Sequence, residues 1–158
     1  SPVTHWGKRP LHLATGVAMR ARFGMDLDLV KLSAEDKAIC AGAIRAYKQI
    51  RDVTLLGDLY RLERPHGAAR GALNFVSLDR RRAVLFVFQL KNGEPAPVRP
   101  QGLDPQKSYV LRELNPAPGR APLPLQGKTR TGAEWMRDGM VPSCQKALEA
   151  CVLELAPQ

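Results

Sequence analysis

The stretch ALNFVSLDRRRAVLFVFQL, residues 72–90, decides the fold of this chain. It holds two runs of strand-like composition, joined by the polar tetrapeptide DRRR at 79–82. The second run is apolar at every position from Val84 to Phe88, so both faces of an extended strand would be apolar there. Such a strand is typical of the middle of a packed structure. The stretch therefore predicts two strands, the second of them buried on both sides.

The sequence after this stretch continues with turn signals and short strand-like runs. Asn92-Gly93 predicts a hairpin turn, and SYVLREL at 108–114 alternates in the manner of a strand. A proline-rich loop follows at 115–127. The closing run, ALEACVLELAP at 147–157, is compatible with a helix or a strand, and the flanking strand pattern favours a strand. Short strands between turns predict an antiparallel sandwich or a small barrel.

The first 62 residues have a different pattern, in which strand-like and helix-like segments alternate. The pattern predicts a strand at 1–6, a helix at 11–24 that Gly24 closes, a strand at 25–30, and a helix from its N-cap Ser33 to about Arg51. The order strand, helix, strand, helix fits a β/α repeat.

The two patterns predict an α+β chain with two parts. Residues 1–62 are expected to form two β/α units, and residues 63–158 an antiparallel β-sandwich domain. The boundary is expected in ERPHGAARG, between Glu63 and Gly71, where the pattern changes.

The charge of the chain argues against a nucleic-acid partner. The net charge of +9 is spread evenly along the sequence, and only residues 80–82 form a basic run. Nucleic-acid binders usually gather basic residues on one face, with aromatic residues between them. No apolar run approaches the length of about 18 residues that a membrane span needs, and no signal-peptide pattern is present. We therefore expect neither a nucleic-acid nor a membrane partner, and a cytoplasmic location.

The residue types that hold metals or cofactors lack the usual spacings. None of the three histidines stands in HxxxH or HExxH spacing: His5, His12 and His66. None of the three cysteines stands in CxxC spacing: Cys40, Cys144 and Cys151. Their odd number and spacing predict reduced thiols. We expect no metal site and, since no glycine-rich phosphate loop occurs, no cofactor.

Two carboxylates and two tryptophans are the remaining candidates for a site. Asp26 and Asp28 alternate on a predicted strand, and glycoside hydrolysis needs a pair of carboxylates. Residues i and i+2 of one strand are only about 7 Å apart on the same face, so helix capping, turn formation or a supporting hydrogen bond beside the site is the favoured interpretation. Trp6 is the one candidate for substrate binding, by stacking on a sugar, with structural packing as an equal alternative. For Trp135, in RTGAEWMRDGM, we favour packing in a core or between domains, with Thr131 and Gly132 turning the chain into a strand.

Several segments, taken in order, resemble the C-terminal end of bacterial α-galactosidases of glycoside hydrolase family 36. The segments that carry the resemblance are SPVTHWGKRPL, VAMRARFGMDLDLVKLS, AYKQIRDVTLLGDLYRL, GLDPQKSYVLRELN, TGAEWMRDGM and VLELAP. The resemblance implies the last β/α units of a (β/α)8 barrel in residues 1–62, followed by the C-terminal antiparallel β-sandwich domain in 63–158. One departure is that Pro2 and His5 stand where the family commonly has other residues.

The resemblance also implies an activity for the longer parent protein. That activity is the retaining hydrolysis of terminal α-galactosides through a covalent glycosyl-enzyme. The two catalytic aspartates of the family lie on earlier barrel strands, and no position of this sequence matches them. We therefore expect no catalytic residue here, an inactive fragment, and an α-galactoside that binds through the missing barrel. An oligomer of the full-length parent is also allowed. The alternative function is a non-catalytic carbohydrate-binding or structural β-sandwich module.

Overall fold

The computed structural model describes residues 2–3, 9–64 and 66–158. The helices and strands, in chain order, are β1 (Pro2–Val3), α1 (Leu11–Met19), β2 (Gly24–Met25), α2 (Ala34–Leu56), β3 (Asp58–Glu63), β4 (Arg70–Val76), β5 (Ala83–Gln89), β6 (Ser108–Leu114), β7 (Thr129–Thr131), α3 (Gly132–Asp138) and β8 (Glu149–Ala156). The described part of the chain thus begins with alternating strands and helices, as the sequence pattern predicts, and continues with strands and the short helix α3.

The first three elements form a small parallel unit. β1 pairs with β2 in parallel, and α1 is the connection between the two strands. The predicted strand at 25–30 is mostly wrong, because only Met25 of that range belongs to β2. The Asp28 carboxylate accepts a hydrogen bond from the Val30 amide at 3.1 Å and pairs with Lys31 at 3.2 Å. This local turn competes with an extended strand and replaces it.

Helix α2 starts as predicted and runs longer than predicted. The Ser33 hydroxyl accepts a hydrogen bond from the Asp36 amide at 3.0 Å, which satisfies a free donor of the first turn. The helix continues past Arg51 to Leu56, because Val53 is fully buried and packs with the sheet. Gly57 then ends it. A Cβ on this residue would lie 2.5 Å from the carbonyl oxygens of Val53 and Val76, so only glycine fits there.

The remaining strands form one six-stranded antiparallel sheet in the order β3-β4-β5-β8-β6-β7. The stretch 72–90 forms the β4–β5 hairpin, and β5 lies in the interior of the sheet, as predicted. The closing run forms a strand, β8, which lies between β5 and β6. The predicted hairpin at Asn92-Gly93 is wrong. The Asn92 side chain instead accepts a hydrogen bond from the Ala147 amide at 2.9 Å and ties the loop to the segment before β8.

The two faces of this sheet are covered by different layers. Helix α2 covers one face, where Ala43, Ile50 and Val53 pack with Val84 and Phe86 of the sheet. The residues that cover the other face come from loops and from α3: Val98, Leu103, Leu123, Trp135, Met140 and Cys144. The predicted antiparallel β domain is thus present. Within the described residues, however, a layer of loops stands where a sandwich would have its second sheet.

The composition of these loops explains the difference. Segments 91–107 and 115–128 are rich in proline, which has no amide N–H to donate to a strand ladder. Val98 makes only an isolated bridge to Met140. The apolar residues of the loops still bury their side chains, so the core closes without a second set of paired strands.

The predicted boundary between residues 62 and 63 falls inside β3. This strand pairs with β4, so the antiparallel sheet begins at Asp58 rather than at Glu63. Helix α2, on the other side of the boundary, shares a core with the sheet. The division into ranges 1–62 and 63–158 itself stays a prediction.

The segment TGAEWMRDGM forms a helix and not the predicted strand. The Thr131 hydroxyl accepts a hydrogen bond from the Glu134 amide at 3.2 Å, and the Glu134 carboxylate accepts one from the Thr131 amide at 2.8 Å. This capping box satisfies two donors at the start of α3. Trp135 of this helix is fully buried, as predicted. Gly139 has a φ of 68°, a left-handed conformation that ends the helix.

Candidate functional site

The residues that the sequence singled out do not assemble into one site. Trp6, the candidate for sugar stacking, lies outside the described residues, as does His5. His66 is exposed in the loop before β4. Asp26 and Asp28 are both exposed, and Asp28 is engaged in the turn with Val30 and Lys31 described above. Neither carboxylate lines the groove described next, and Asp28 forms a turn.

One concave surface of the described residues is a groove beside α1, with a volume of about 450 Å³. Its apolar lining comes from the α1 face of Leu13 and Val17 and from the sheet residues Leu73 and Phe88. Leu13 and Val17 are four positions apart and therefore lie on one side of the helix. Val17 is 38% exposed, and Leu90 and Leu148 at the edge of the groove are exposed to a similar degree. We call this surface the α1 groove.

Basic side chains line the edge of the α1 groove. Four arginines contribute to its lining: Arg9, Arg20, Arg61 and Arg64. The one acidic lining residue, Glu63, is held by Arg70 through two hydrogen bonds of 2.7 Å. An apolar floor with a basic edge suits an apolar protein surface that carries acidic residues around it. It offers no free carboxylate for acid–base chemistry.

A second cluster is polar and buried, and it joins β6 to the proline-rich loop. The Glu113 carboxylate accepts hydrogen bonds from Arg120 and from the Ser143 hydroxyl, both at 2.7 Å. The Glu113 and Arg120 side chains are only 4% and 9% exposed. Arg120 also donates to the Ala150 carbonyl at 3.0 Å. The Oε1 atom of Glu113 thus accepts two hydrogen bonds, one of them from a cation, and these contacts hold the loop in place.

His12 extends this cluster to α1. Its Nε2 lies 2.7 Å from the Asn115 carbonyl oxygen, so the neutral ring donates a hydrogen bond there. Burial lowers the pKa of His12 below its ordinary value of 6.5, although the contact with Asn115 acts in the opposite direction. Arg120 lowers the pKa of His12 further, while Glu113 and Glu149 raise it. The neutral imidazole is therefore the form that the folded protein prefers.

This preference predicts a pH-dependent stability. A histidine with a lowered pKa in the folded state contributes its full stabilisation above pH 6.5, and this is lost as the pH falls from 6.5 through the lower pKa of the folded state. We expect the free energy of unfolding to fall between pH 7 and pH 5, and His12→Gln to weaken that fall. Glutamine keeps a donor for Asn115 but does not titrate. Urea denaturation at pH 7 and pH 5 measures both proteins. Identical pH dependence in the two would contradict the assignment.

A third polar cluster joins α2 to the sheet, where the carboxylate of Glu154 is buried. Arg82 contacts Glu154 at 3.0 Å and Asp52 at 2.7 Å, and Gln49 also donates to Glu154. Sequence spacing gave no signal for this cluster or for the Glu113 cluster, because their members come from distant parts of the chain. Both are structural contacts, and neither has the two free carboxylates that glycoside hydrolysis needs.

The described part of the chain has neither a cluster of possible metal ligands nor a helix suited to crossing a membrane. Residues 2–3, 9–64 and 66–158 contain no group of three or more His, Cys, Asp or Glu side chains placed to hold a metal ion. In the same residues, no helix has both the length and the apolar character that crossing a membrane requires.

The residues that form the sheet identify the family of this chain. Residues 70–155, more than half of the chain, match the family described as "Glycosyl hydrolase family 36 C-terminal domain". The chain belongs to this family. The matched range starts at the first residue of β4 and ends one residue before the end of β8, so the family 36 domain covers all of the sheet except β3. The resemblance found in the sequence is thereby confirmed.

Relatives of this family 36 domain are α-galactosidases. The "Probable alpha-galactosidase G" of Aspergillus terreus is 37% identical over 114 residues, which are 70% of this chain and 16% of that protein. The "Alpha-galactosidase AgaA" of Geobacillus stearothermophilus is 34% identical over 101 residues, 62% of this chain and 14% of that protein. The crystal structure of the family 36 α-galactosidase AgaB from Geobacillus stearothermophilus superposes with a TM-score of 0.80 at 26% identity, covering 99% of this chain and 21% of that one. The chain thus spans about a fifth or less of the length of these proteins.

Proposed function

We propose that this chain is the C-terminal portion of an α-galactosidase that hydrolyses terminal α-galactosides with retention of configuration. In this proposal the six-stranded sheet supports the catalytic barrel and supplies no catalytic carboxylate. The family match over 70–155 and the relatives named above support the enzyme class. Asp28 is exposed and paired with Lys31, and Glu113 is buried and paired with Arg120. Both observations support the non-catalytic role.

The observation that carries the proposal is the β1-α1-β2-α2 order ahead of the sheet. β1 and β2 are parallel neighbours with a helix between them, which is how successive units of a (β/α)8 barrel are built. We infer that these elements are the last two β/α units of the barrel. Helices α1 and α2 then link the barrel to the sheet, because both pack against it.

The α1 groove fits the same arrangement. It lies between α1 and residues of β3, β4 and β5, and none of its lining residues belongs to another helix. In a closed barrel each outer helix has a neighbour on both sides. Helix α2 is one neighbour of α1, and we infer that the preceding barrel helix occupies the groove as the other.

The activity test compares this chain with a longer protein that carries it at the C-terminal end. We expect the longer protein to hydrolyse p-nitrophenyl α-galactoside and the 158-residue chain alone to show no turnover above buffer. Deletion of residues 70–155 from the longer protein is expected to abolish activity through misfolding of the barrel. Turnover by the purified short chain, or an inactive longer protein that is correctly folded, would contradict the proposal.

The packing of the groove is tested with a matched pair of substitutions in the longer protein. Val17→Glu places a charge in the groove, while Leu78→Glu places one in the β4–β5 turn, at a side chain that is 74% exposed. If the preceding helix covers the groove, only Val17→Glu lowers the melting temperature of the longer protein. Equal effects of both variants would show that the groove is open in the parent.

The alternative of a carbohydrate-binding module receives no support from the described tryptophan. Trp135 is fully buried and has no face available for a sugar. Oligomerisation of the parent, the lack of nucleic-acid and membrane partners, and the cytoplasmic location stay predictions.

A further inference from the structure

Two cysteines meet inside the core on the loop side of the sheet. The Sγ atoms of Cys144 and Cys151 are 3.2 Å apart, and the two residues are 0% and 1% exposed. Cys151 lies in β8 opposite Val87 of β5, and the Cys144 Sγ is 3.9 Å from the Val87 carbonyl oxygen. Cys40 is separate, since it packs with α1 residues such as Leu11 in another cluster.

We propose that Cys144 and Cys151 are a redox modification site, at which the two thiols form an intramolecular disulfide by exchange with a small disulfide such as oxidised glutathione. A disulfide has a sulfur–sulfur distance of about 2.05 Å, so the sulfurs must approach by about 1 Å. Cys144 lies between α3 and β8 in a loop without regular structure. A shift of this size therefore breaks no strand pairing.

The loop between the cysteines is held by a few local contacts that can open. The Glu149 carboxylate accepts hydrogen bonds from the amides of Gln145 and Lys146 at 2.8 and 3.0 Å, and Asn92 accepts one from Ala147. Burial raises the pKa of the Cys151 thiol well above its usual value. Cys151 also lies in an interior strand, so Cys144 is the thiol that an opening of the loop presents to the oxidant first.

The exchange runs in two balanced steps. The Cys144 thiolate attacks one sulfur of oxidised glutathione, forms a mixed disulfide and releases one glutathione thiolate. The Cys151 thiolate then attacks the Cys144 sulfur and releases the second glutathione. The two protein thiols lose two protons and two electrons, and one oxidised glutathione becomes two reduced molecules. The product closes the 144–151 loop over β5 and fixes Leu148, which lines the α1 groove.

The test uses the reduced protein and counts thiols. The chain is incubated with oxidised glutathione, quenched in acid, denatured and alkylated. We expect one alkyl group per chain instead of three, since the chain has three free cysteines. Trypsin cleaves after Arg137 and Lys146, so the disulfide should link peptides 138–146 and 147–158. The oxidised chain is expected to melt about 5 °C higher than the reduced chain, because the crosslink restricts the unfolded state.

Variants separate this bond from nonspecific oxidation. Cys40→Ala should still lose two thiols to the crosslink, whereas Cys144→Ala should form no intramolecular bond. The disulfide-linked peptides of the wild-type chain decide the outcome. The test therefore does not depend on whether either variant folds. Three alkylated thiols after oxidation, a stable glutathione adduct on Cys144, or a bond that involves Cys40 would each overturn the proposal.

Discussion

Arg82→Ala is expected to lower the free energy of unfolding by about 3 kcal/mol, because it leaves the buried carboxylate of Glu154 without its cationic partner. The Glu154 side chain is only 5% exposed, and Arg82 is 3.0 Å from it. The same guanidinium group donates to the Gln49 carbonyl at 2.6 Å and contacts Asp52 at 2.7 Å. One side chain thus fastens α2 to β8 through three contacts.

The size of the effect follows from the difference in free energy between a paired and an unpaired buried charge. A buried ion pair contributes little net stability, whereas an orphaned buried charge costs several kcal/mol. Gln49 still donates to Glu154 in the variant and recovers part of the loss. Since a domain of this kind is stable by only about 5–15 kcal/mol, a loss of about 3 kcal/mol is a large fraction of the total.

Urea denaturation of purified variants measures this effect, with Arg81→Ala as the matched control. Arg81 is the adjacent, exposed arginine of the same turn, and its loss should change stability by less than about 0.5 kcal/mol. The double variant Arg82→Leu with Glu154→Leu should be more stable than Arg82→Ala alone, because it removes the orphaned charge. An Arg82→Ala protein as stable as the Arg81→Ala protein would rule out the contact as described.

The sequence predicted the parts of the fold in which local pattern and tertiary packing agree. The runs around Val84 and Leu153 are apolar and β-rich, and both become interior strands. Ser33 begins α2 where its capping chemistry predicts. Local pattern failed where a short-range hydrogen bond competed with it. Asp28 makes a turn in an alternating run, and Thr131 and Glu134 start a helix that resembles a strand by composition.

The loop layer and the polar clusters required tertiary information. The sequence pattern places Val98 and Leu123 in loops. No periodic spacing around them indicates that these loops, rather than a second sheet, cover this face of the sheet. The partners of Glu113 and Glu154 lie on other elements, so their spacing carries no signal. For the candidate site, the sequence correctly favoured a turn at Asp28 and burial at Trp135, but it did not indicate the α1 groove.

Trp135→Ala is expected to cost about 3–5 kcal/mol, the largest loss for one substitution on the loop side of the sheet. Trp135 is fully buried, and its indole N–H donates to the Tyr109 carbonyl at 3.0 Å. Alanine would leave a cavity among Val98, Leu103 and Met140 and remove the donor to Tyr109. Since α3 has only seven residues, it depends on this side chain for its attachment to the sheet.

Two further variants separate the volume of Trp135 from its hydrogen bond. Trp135→Phe keeps most of the apolar contact but leaves the Tyr109 carbonyl without the indole donor, so we expect a loss of about 1–3 kcal/mol. Arg130 lies over the indole with its guanidinium carbon 5.1 Å from the ring centre, and Arg130→Ala should cost only about 0.5–1 kcal/mol at this partly exposed position. Thermal and urea unfolding should therefore rank Trp135→Ala as the least stable of the three variants, Trp135→Phe as intermediate and Arg130→Ala as the most stable. A Trp135→Ala protein as stable as Arg130→Ala would mean that α3 is attached to the sheet by other contacts.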